Sequence, residues 1–258
     1  MTYQTILTSV SDGVGILSLN RPERLNALTP QMFYEIADAI EAFPGQGARA
    51  ILIKAEGKGF CSGTDLQAEG GLPDDVGEIL EKDYNPCMER YVASTLPMVA
   101  QVHGACAGIG ASLALACDFV VAAQSAYFLQ AFVNIGLVPD GGATWTLPRL
   151  IGKARATELM MLGERLPAAK AADWGLIYKA VEDAALADEA MALATRLAAM
   201  PTVALGLIRK GIAETQTSSF SQGLALERAH QREAGRSADF KEGVQAFLAK
   251  RPAKFEGK

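Results

Sequence analysis

The sequence predicts an α/β core joined to a smaller helical C-terminal domain, and three observations carry that prediction. Short β-rich or continuously apolar runs crowd the front of the chain, at Tyr3–Val10, Val14–Asn20, Ala50–Ala55, Met98–His103 and Phe119–Ala123. After Gly152 the apolar residues recur at helical spacing, through 153–163, 183–199, 202–213, 217–234 and 238–249, with one strand-like piece over Leu176–Val181. Half of the 258 residues are apolar and 21% are charged, enough for a sizeable core and too apolar for a disordered chain. The change of character falls near Met200-Pro201, which divides the chain into 1–199 and 200–258.

The elements follow from local chemistry. Ser11-Asp-Gly13 between the first two β-rich runs is a hairpin signal, and Arg21-Pro22 ends the second strand. Thr29-Pro30 supplies an N-cap and an N1 proline to a helix whose apolar stripe is Met32, Phe33, Ile36, Ile40 and Phe43. Ala50–Ala55 reads as a buried strand and empties into Glu56–Asp65, too rich in glycine for a regular element. Residues 67–76 read as a mobile loop, followed by a helix over Val76–Ser94. Gly104–Gly110 reads as a small-residue turn opening a short helix over Ala111–Ala116.

Charge and composition exclude several functions. A net charge of −5 and a pI near 5.2 leave no broad nucleic-acid surface, although a small basic patch could hold a phosphorylated ligand. Cys61, Cys87, Cys106 and Cys117 make no C-x-x-C pair, and His103 and His230 lack the neighbours of a zinc site, so no metal is expected. The longest apolar stretch, Ala105–Cys117, is too short and glycine-broken to span a bilayer, and the first residues carry no targeting pattern. The expectation is a soluble cytoplasmic protein.

The glycine motifs narrow the chemistry. Gly108-Ile-Gly110-Ala-Ser-Leu113 lacks the third glycine and acidic partner of a dinucleotide site, and neither a phosphate loop nor a nucleophile elbow occurs. Two glycine-rich turns after buried strands remain, Phe60–Asp65 and Gly108–Gly110. Free amides from two such turns converging on one carbonyl oxygen would form an oxyanion hole, although strand-to-helix turns of this kind are also common as plain structure.

The runs Asn20-Arg-Pro-Glu-Arg-Leu-Asn-Ala-Leu28, Gly57-Lys-Gly-Phe-Cys-Ser-Gly-Thr-Asp-Leu66, Val102-His-Gly-Ala-Cys-Ala-Gly-Ile-Gly-Ala111, Ala116-Cys-Asp118 and Ile135-Gly-Leu-Val-Pro-Asp-Gly-Gly142 together resemble the enoyl-CoA hydratase/isomerase (crotonase) superfamily. The ending Glu242–Phe255 does too, so the resemblance runs the whole chain in order. It implies a spiral of repeated ββα units over 1–199 for acyl-CoA binding and catalysis, and a helical region over 200–258 that assembles a homotrimer or a dimer of trimers. It implies an acyl-CoA thioester as the substrate, no separate cofactor because coenzyme A is part of that substrate, and no nucleic-acid or membrane partner. It assigns the oxyanion amides to Thr64 and Ile109. It also places Arg24 and the Leu25–Ala27 backbone beside the adenine and phosphates, and Ser62, Thr64, Asp65 and Leu66 along the nucleotide and thioester. Lys254, with Lys250 and Arg251, is a candidate phosphate contact from the same or a neighbouring subunit, or a solvated basic tail.

Carboxylates decide the reaction within the family. Hydration uses two glutamates; the positions that hold them in family hydratases are Ser112 and Phe132 here. Asp140 instead falls where isomerases and some ring-modifying members keep a single acid. Ringed by Phe132, Ile135 and Val138, it would lose hydration and its pKa would rise. Without the resemblance, Val138-Pro-Asp-Gly141 is a plain β-turn. The reading is therefore an isomerase moving a double bond from the 3- to the 2-position, Asp140 carrying the proton from C2 to C4. The rivals are a hydratase or other lyase using Asp140 and water, and a non-catalytic acyl-CoA-binding subunit. His103, Asp118, Glu158, Glu164 and Arg149 read as structural, and Trp145 with Met160-Met161 as core or acyl tunnel.

Overall fold

The protein, a computed structural model, is described over residues 3–67 and 75–258. Most of the loop expected over 67–76 lies outside the described residues. Strands β1 (Ile6–Ser11) and β2 (Val14–Leu19) form the expected hairpin, with Asp12 and Gly13 both at positive φ, the turn geometry that follows strand twist. The helix α1 (Pro30–Ala42) starts where Thr29 Oγ1 accepts the Met32 amide at 3.3 Å, and it buries Met32, Phe33, Ile36 and Ile40.

Strand β3 (Ala50–Ala55) lies parallel to β2, and β4 (Met98–Val102), β6 (Phe119–Ala123) and β9 (Lys179–Val181) extend the sheet in the order β1-β2-β3-β4-β6-β9. Only β1 runs against the rest, so the C-terminal ends of the parallel strands share one edge. The glycine-rich segments after β3 and β4 both leave from that edge. Helix α7 (Leu186–Ala198) packs on β3, β4 and β6.

The stretch expected to be a turn over Gly104–Gly110 holds a strand of its own, β5 (Ala105–Ala107). It pairs with β7 (Tyr127–Leu129), which pairs with β8 (Leu166–Pro167) in a second sheet. Three residues of small side chain give no alternation to read; pairing across the sheet makes the strand. Helix α4 (Ile109–Leu115) follows at once. The helix expected over 76–94 is present in two pieces, α2 (Val76–Ile79) and α3 (Asn85–Val92), joined by a wide i→i+5 turn at Leu80–Tyr84. Pro86 has no N–H for Lys82 and its ring crowds that carbonyl, so a wider turn relieves the junction.

Helix α5 (Ala143–Leu162) begins ten residues before the helical pattern expected after Gly152, where the backbone breaks helical geometry. Helix α6 (Ala168–Asp173) was not legible as a separate element. Beyond α7 the chain bends by 105° at Ala199–Pro201 into α8 (Thr202–Thr215), α9 (Phe220–Ala234) and α10 (Ala238–Leu248). No single helix among the described residues is long and apolar enough to cross a membrane. Arg49, at the start of β3, donates to Thr202 Oγ1 (2.9 Å), Met200 O (2.7 Å) and Phe255 O (2.8 Å), and Asp239 accepts the Glu256 and Gly257 amides.

Candidate active site

The wall of the site is a stack of extended segments. Asn26, fully buried and at φ 54°, holds the first in place: its Oδ1 accepts the Arg21 amide (2.8 Å) and its Nδ2 donates to Glu56 O (2.8 Å) and Gly59 O (3.0 Å). Segment 25–28 then zips to segment 62–65, with Ser62 N donating to Leu25 O (3.0 Å), Leu28 N to Gly63 O (2.8 Å) and Asp65 N to Leu28 O (2.9 Å). Cys61 pairs in turn with β5 through Cys61 N to Ala105 O and Ala107 N to Cys61 O. The amide of Gly108 donates to Leu129 O at 2.8 Å, which ties the second turn to β7.

The two glycine turns therefore meet. Gly108 sits at φ 54°, ψ −136°, a conformation closed to side chains, and a β-carbon there would lie 3.5 Å from Gly63 Cα and 3.9 Å from Phe132 Cζ. The amides of Thr64 and Ile109, each one residue past its glycine, donate to no described group. Two unspent donors on adjoining turns can receive one oxygen.

The acid loop closes the same corner. Phe132 is buried on a 3₁₀ turn over Ala131–Ile135, and the chain then runs through Leu137–Gly142 to α5. Ser112 Oγ, on α4, donates to the carbonyl of Asp140 at 3.0 Å. Asp140 Oδ1 is buried and has no hydrogen-bond partner among the described residues. Burial pushes this carboxyl up to about 6, its own amide pulling weakly the other way, and no charged side chain among the described residues contributes. The burial does not arise as the sequence suggested: Ile135 is 57% and Val138 79% exposed, so neither rings the acid in the single chain. Phe132, the third residue expected to ring it, is buried, and Gly141, next after the acid, packs on Ile109 and Ser112.

Polar groups flank the wall. Asp65 pairs with Arg21 (2.8 Å) and lies 3.9 Å from Arg24 Nε, and these cations hold its carboxyl below its ordinary value despite burial. Arg24 is exposed and donates to Gln67 Oε1 (2.9 Å), Leu25 is exposed, Ala27 is buried, and Ser62 and Leu66 face solvent. Lys254 is not brought to them within one chain: its neighbour Phe255 is held by Arg49 at the N-terminal end of β3, about 20 Å of strand away.

Tyr84 escaped the sequence reading. Its ring packs on Phe33 (centroids 4.7 Å apart), and its phenol faces the Thr64 side chain within electrostatic reach of Asp140; burial, the larger effect, pushes it up to about 12. Only the wide turn over Leu80–Tyr84 aims it there, and periodicity does not reveal such a turn. Trp145 is not core: it is 46% exposed, carries Arg149 stacked at 4.1 Å, and with Gly141, Gly142, Met88 and Leu115 lines a cleft of about 1510 Å³ between the core and α8. His103 bonds Gly57 O at 3.0 Å, and Glu158 and Glu164 are exposed.

A sequence model of the family described as enoyl-CoA hydratase/isomerase matches residues 9–258. The chain belongs to that family. It is 45% identical over 258 residues to the 1,2-epoxyphenylacetyl-CoA isomerase of Escherichia coli K12, covering 98% of each chain. It is 43% identical to a "Probable enoyl-CoA hydratase" of Rhodobacter capsulatus over the full length of both. Among solved structures, an enoyl-CoA hydratase subunit I from Geobacillus kaustophilus superposes with a TM-score of 0.93 at 36% identity, covering 99% of each chain. The fold is thus the crotonase fold, and the chain is an acyl-CoA-processing enzyme of the hydratase/isomerase family.

Proposed function

We propose that the protein isomerises a 3-enoyl-CoA to the 2-enoyl-CoA, with Asp140 as the single proton shuttle. The observation that carries this reading is one buried carboxyl with an unpartnered oxygen beside two unspent amides, with no second acid acting on it among the described residues. The thioester oxygen sits between the Thr64 and Ile109 amides, which take up the negative charge as it develops. Asp140 removes a proton from C2, the electron pair spreads into a dienolate, and the same carboxyl returns the proton at C4. A pKa near 6 suits a group that must both take and give a proton close to neutrality.

Coenzyme A arrives as part of the substrate, its thioester and nucleotide running along Leu25–Ala27 and Ser62–Leu66 with Arg24 near the phosphates. The acyl group passes Phe132. The apolar residues left uncovered on the last three helices, Ile208, Ile212, Phe220, Leu224, Phe240 and Phe247, support a homotrimer or a dimer of trimers. In such an assembly Lys254 reaches a neighbour's nucleotide site. Free thiols at all four cysteines suit the cytoplasm.

A second reading is favoured by the relative named 1,2-epoxyphenylacetyl-CoA isomerase: rearrangement of a cyclic acyl-CoA by the same acid. Hydration is disfavoured because Ser112 and Phe132 stand where its two glutamates would be. The test offers 3-hexenoyl-CoA, an epoxyphenylacetyl thioester and crotonyl-CoA. The expected result is 2-enoyl formation, lowered 10²- to 10⁴-fold by Asp140→Ala. Hydration of crotonyl-CoA at a comparable rate, or near-full turnover by Asp140→Ala, overturns the reading.

A further inference from the structure

The acid loop is held to the oxyanion turn by one side chain. Ser112 lies on α4, three residues after Ile109, and is buried; its Oγ donates to the Asp140 carbonyl at 3.0 Å. The next residue, Gly141, has φ 58°, and a β-carbon there would come within 2.8 Å of Ser112 Cβ and 2.9 Å of Ile109 Cγ1. The loop thus rests on α4 with no space between them. The Asp140 amide and carboxyl inherit their place from that contact, because the loop's outer side, at Ile135 and Val138, is in solvent.

We infer that Ser112 is a positioning residue that fixes Asp140 against the helix carrying the Ile109 amide, and that it thereby closes this enzyme to a second carboxylate at position 112. A longer acidic side chain there loses the bond to the Asp140 carbonyl and crowds Gly141, which packs on Ser112. Base and oxyanion donor then form a single rigid unit, so that the distance from C2 to the carboxyl is set when the thioester oxygen binds. This inference rests on the reading of Asp140 as the proton shuttle.

Among the described residues, the titratable group within electrostatic reach of Asp140 from a packed element is Tyr84, on the turn before α3. Helix α4 carries no ionisable side chain, and the first cation of α5, Arg149, is spent on Trp145. A loosened loop therefore changes the acid chiefly through hydration. Burial is what holds the carboxyl up, so hydration moves it down toward the ordinary carboxylate range.

The experiment compares the full-length enzyme with Ser112→Ala and Ser112→Glu on a 3-enoyl-CoA across pH 4.5–8, with thermal melts recorded alongside. For Ser112→Ala the expected result is a roughly 10-fold fall in kcat with KM nearly unchanged, and an acidic limb of the kcat profile displaced downward by half a unit or more. A role confined to stability would lower the melting temperature and leave that limb where it is. Ser112→Glu is expected to lose isomerisation and to gain no hydration of crotonyl-CoA. An unmoved limb and kcat in Ser112→Ala overturn the positioning role, and hydration by Ser112→Glu overturns the closure. Should Ser112→Glu fail to fold, Ser112→Ala decides by itself. If Asp140→Ala also turns over freely, the reading of Asp140 fails; if only the Ser112 variants behave as wild type, this inference fails alone.

Discussion

Two carboxylates, Asp140 and Asp118, are treated by the structure in opposite ways. Asp118 closes the end of α4 against α8. Its oxygens accept Arg209 Nε at 2.8 and 3.0 Å and the Met98 amide at 2.7 Å, while Arg209 Nη1 bonds the carbonyls of Val92 and Ser94. Burial still pushes its carboxyl up, with Arg209 and the Met98 amide pulling back. Among the described residues Asp140 has no cation, and one oxygen has no donor. An acid whose oxygens are bonded to a cation and an amide joins elements; one that is left wanting a proton is available for chemistry.

The largest break of this comparison comes at Asp140. Asp140→Asn should cost 10² to 10⁴ in kcat on the preferred substrate, yet it should stabilise the fold. The folded carboxyl titrates near 6 against an ordinary 3.8. Folding therefore favours the protonated form, and the native state loses stability as pH rises from about 4 to 6. Above that window the charged form costs on the order of 2 kcal/mol, discounted for its partial exposure. The amide removes this penalty. Melts at pH 7.5 should show Asp140→Asn several degrees above wild type, with the gain gone at pH 4. A gain equal at both pH values would remove the desolvated acid from the account. Wild-type turnover should rise with pH through about 6, because the base must be ionised.

At the other carboxylate the signs reverse. Arg209→Met leaves the partly exposed Asp118 without its cation, and we expect a loss of about 1 kcal/mol in unfolding free energy with kcat per folded molecule within two-fold of wild type. Adding Asp118→Asn should recover part of that loss, since the uncompensated charge is then gone. Denaturant unfolding of the single and double variants measures both. A single variant that keeps its stability but loses turnover would move Asp118 into the catalytic machinery.

Much of this contrast was legible in the sequence, and what was not has physical causes. Glycine turns, the Thr29 cap and the buried strand Ala50–Ala55 each depend on near neighbours, and the structure puts them where the sequence suggested. Strand β5 was read as a turn because three small residues become a strand only through Cys61 and β7, which are distant in sequence. The surroundings of Asp140 were misread for the same reason. Its sequence neighbours Ile135 and Val138 are exposed, while Ser112, 28 residues away, holds its carbonyl. Asn26 was passed over as one member of a motif, although its three hydrogen bonds fasten the wall.

The smallest effect lies between the two turns, at Tyr84. Its ring is fixed against Phe33 and its phenol faces Thr64 within reach of Asp140. Tyr84→Phe keeps the ring volume and the contact with Phe33, so the melting temperature should stay within about 2 °C. The phenol is neutral across the working range, its pKa pushed up to about 12 by burial, so its removal withdraws a dipole rather than a charge. One such contact is worth about 1 kcal/mol, which sets the expected fall in kcat/KM at about five-fold with the acidic limb unmoved. A fall beyond 100-fold would make the phenol a second proton carrier, and the contrast between one unsatisfied acid and its bonded counterpart would no longer describe where the chemistry lies.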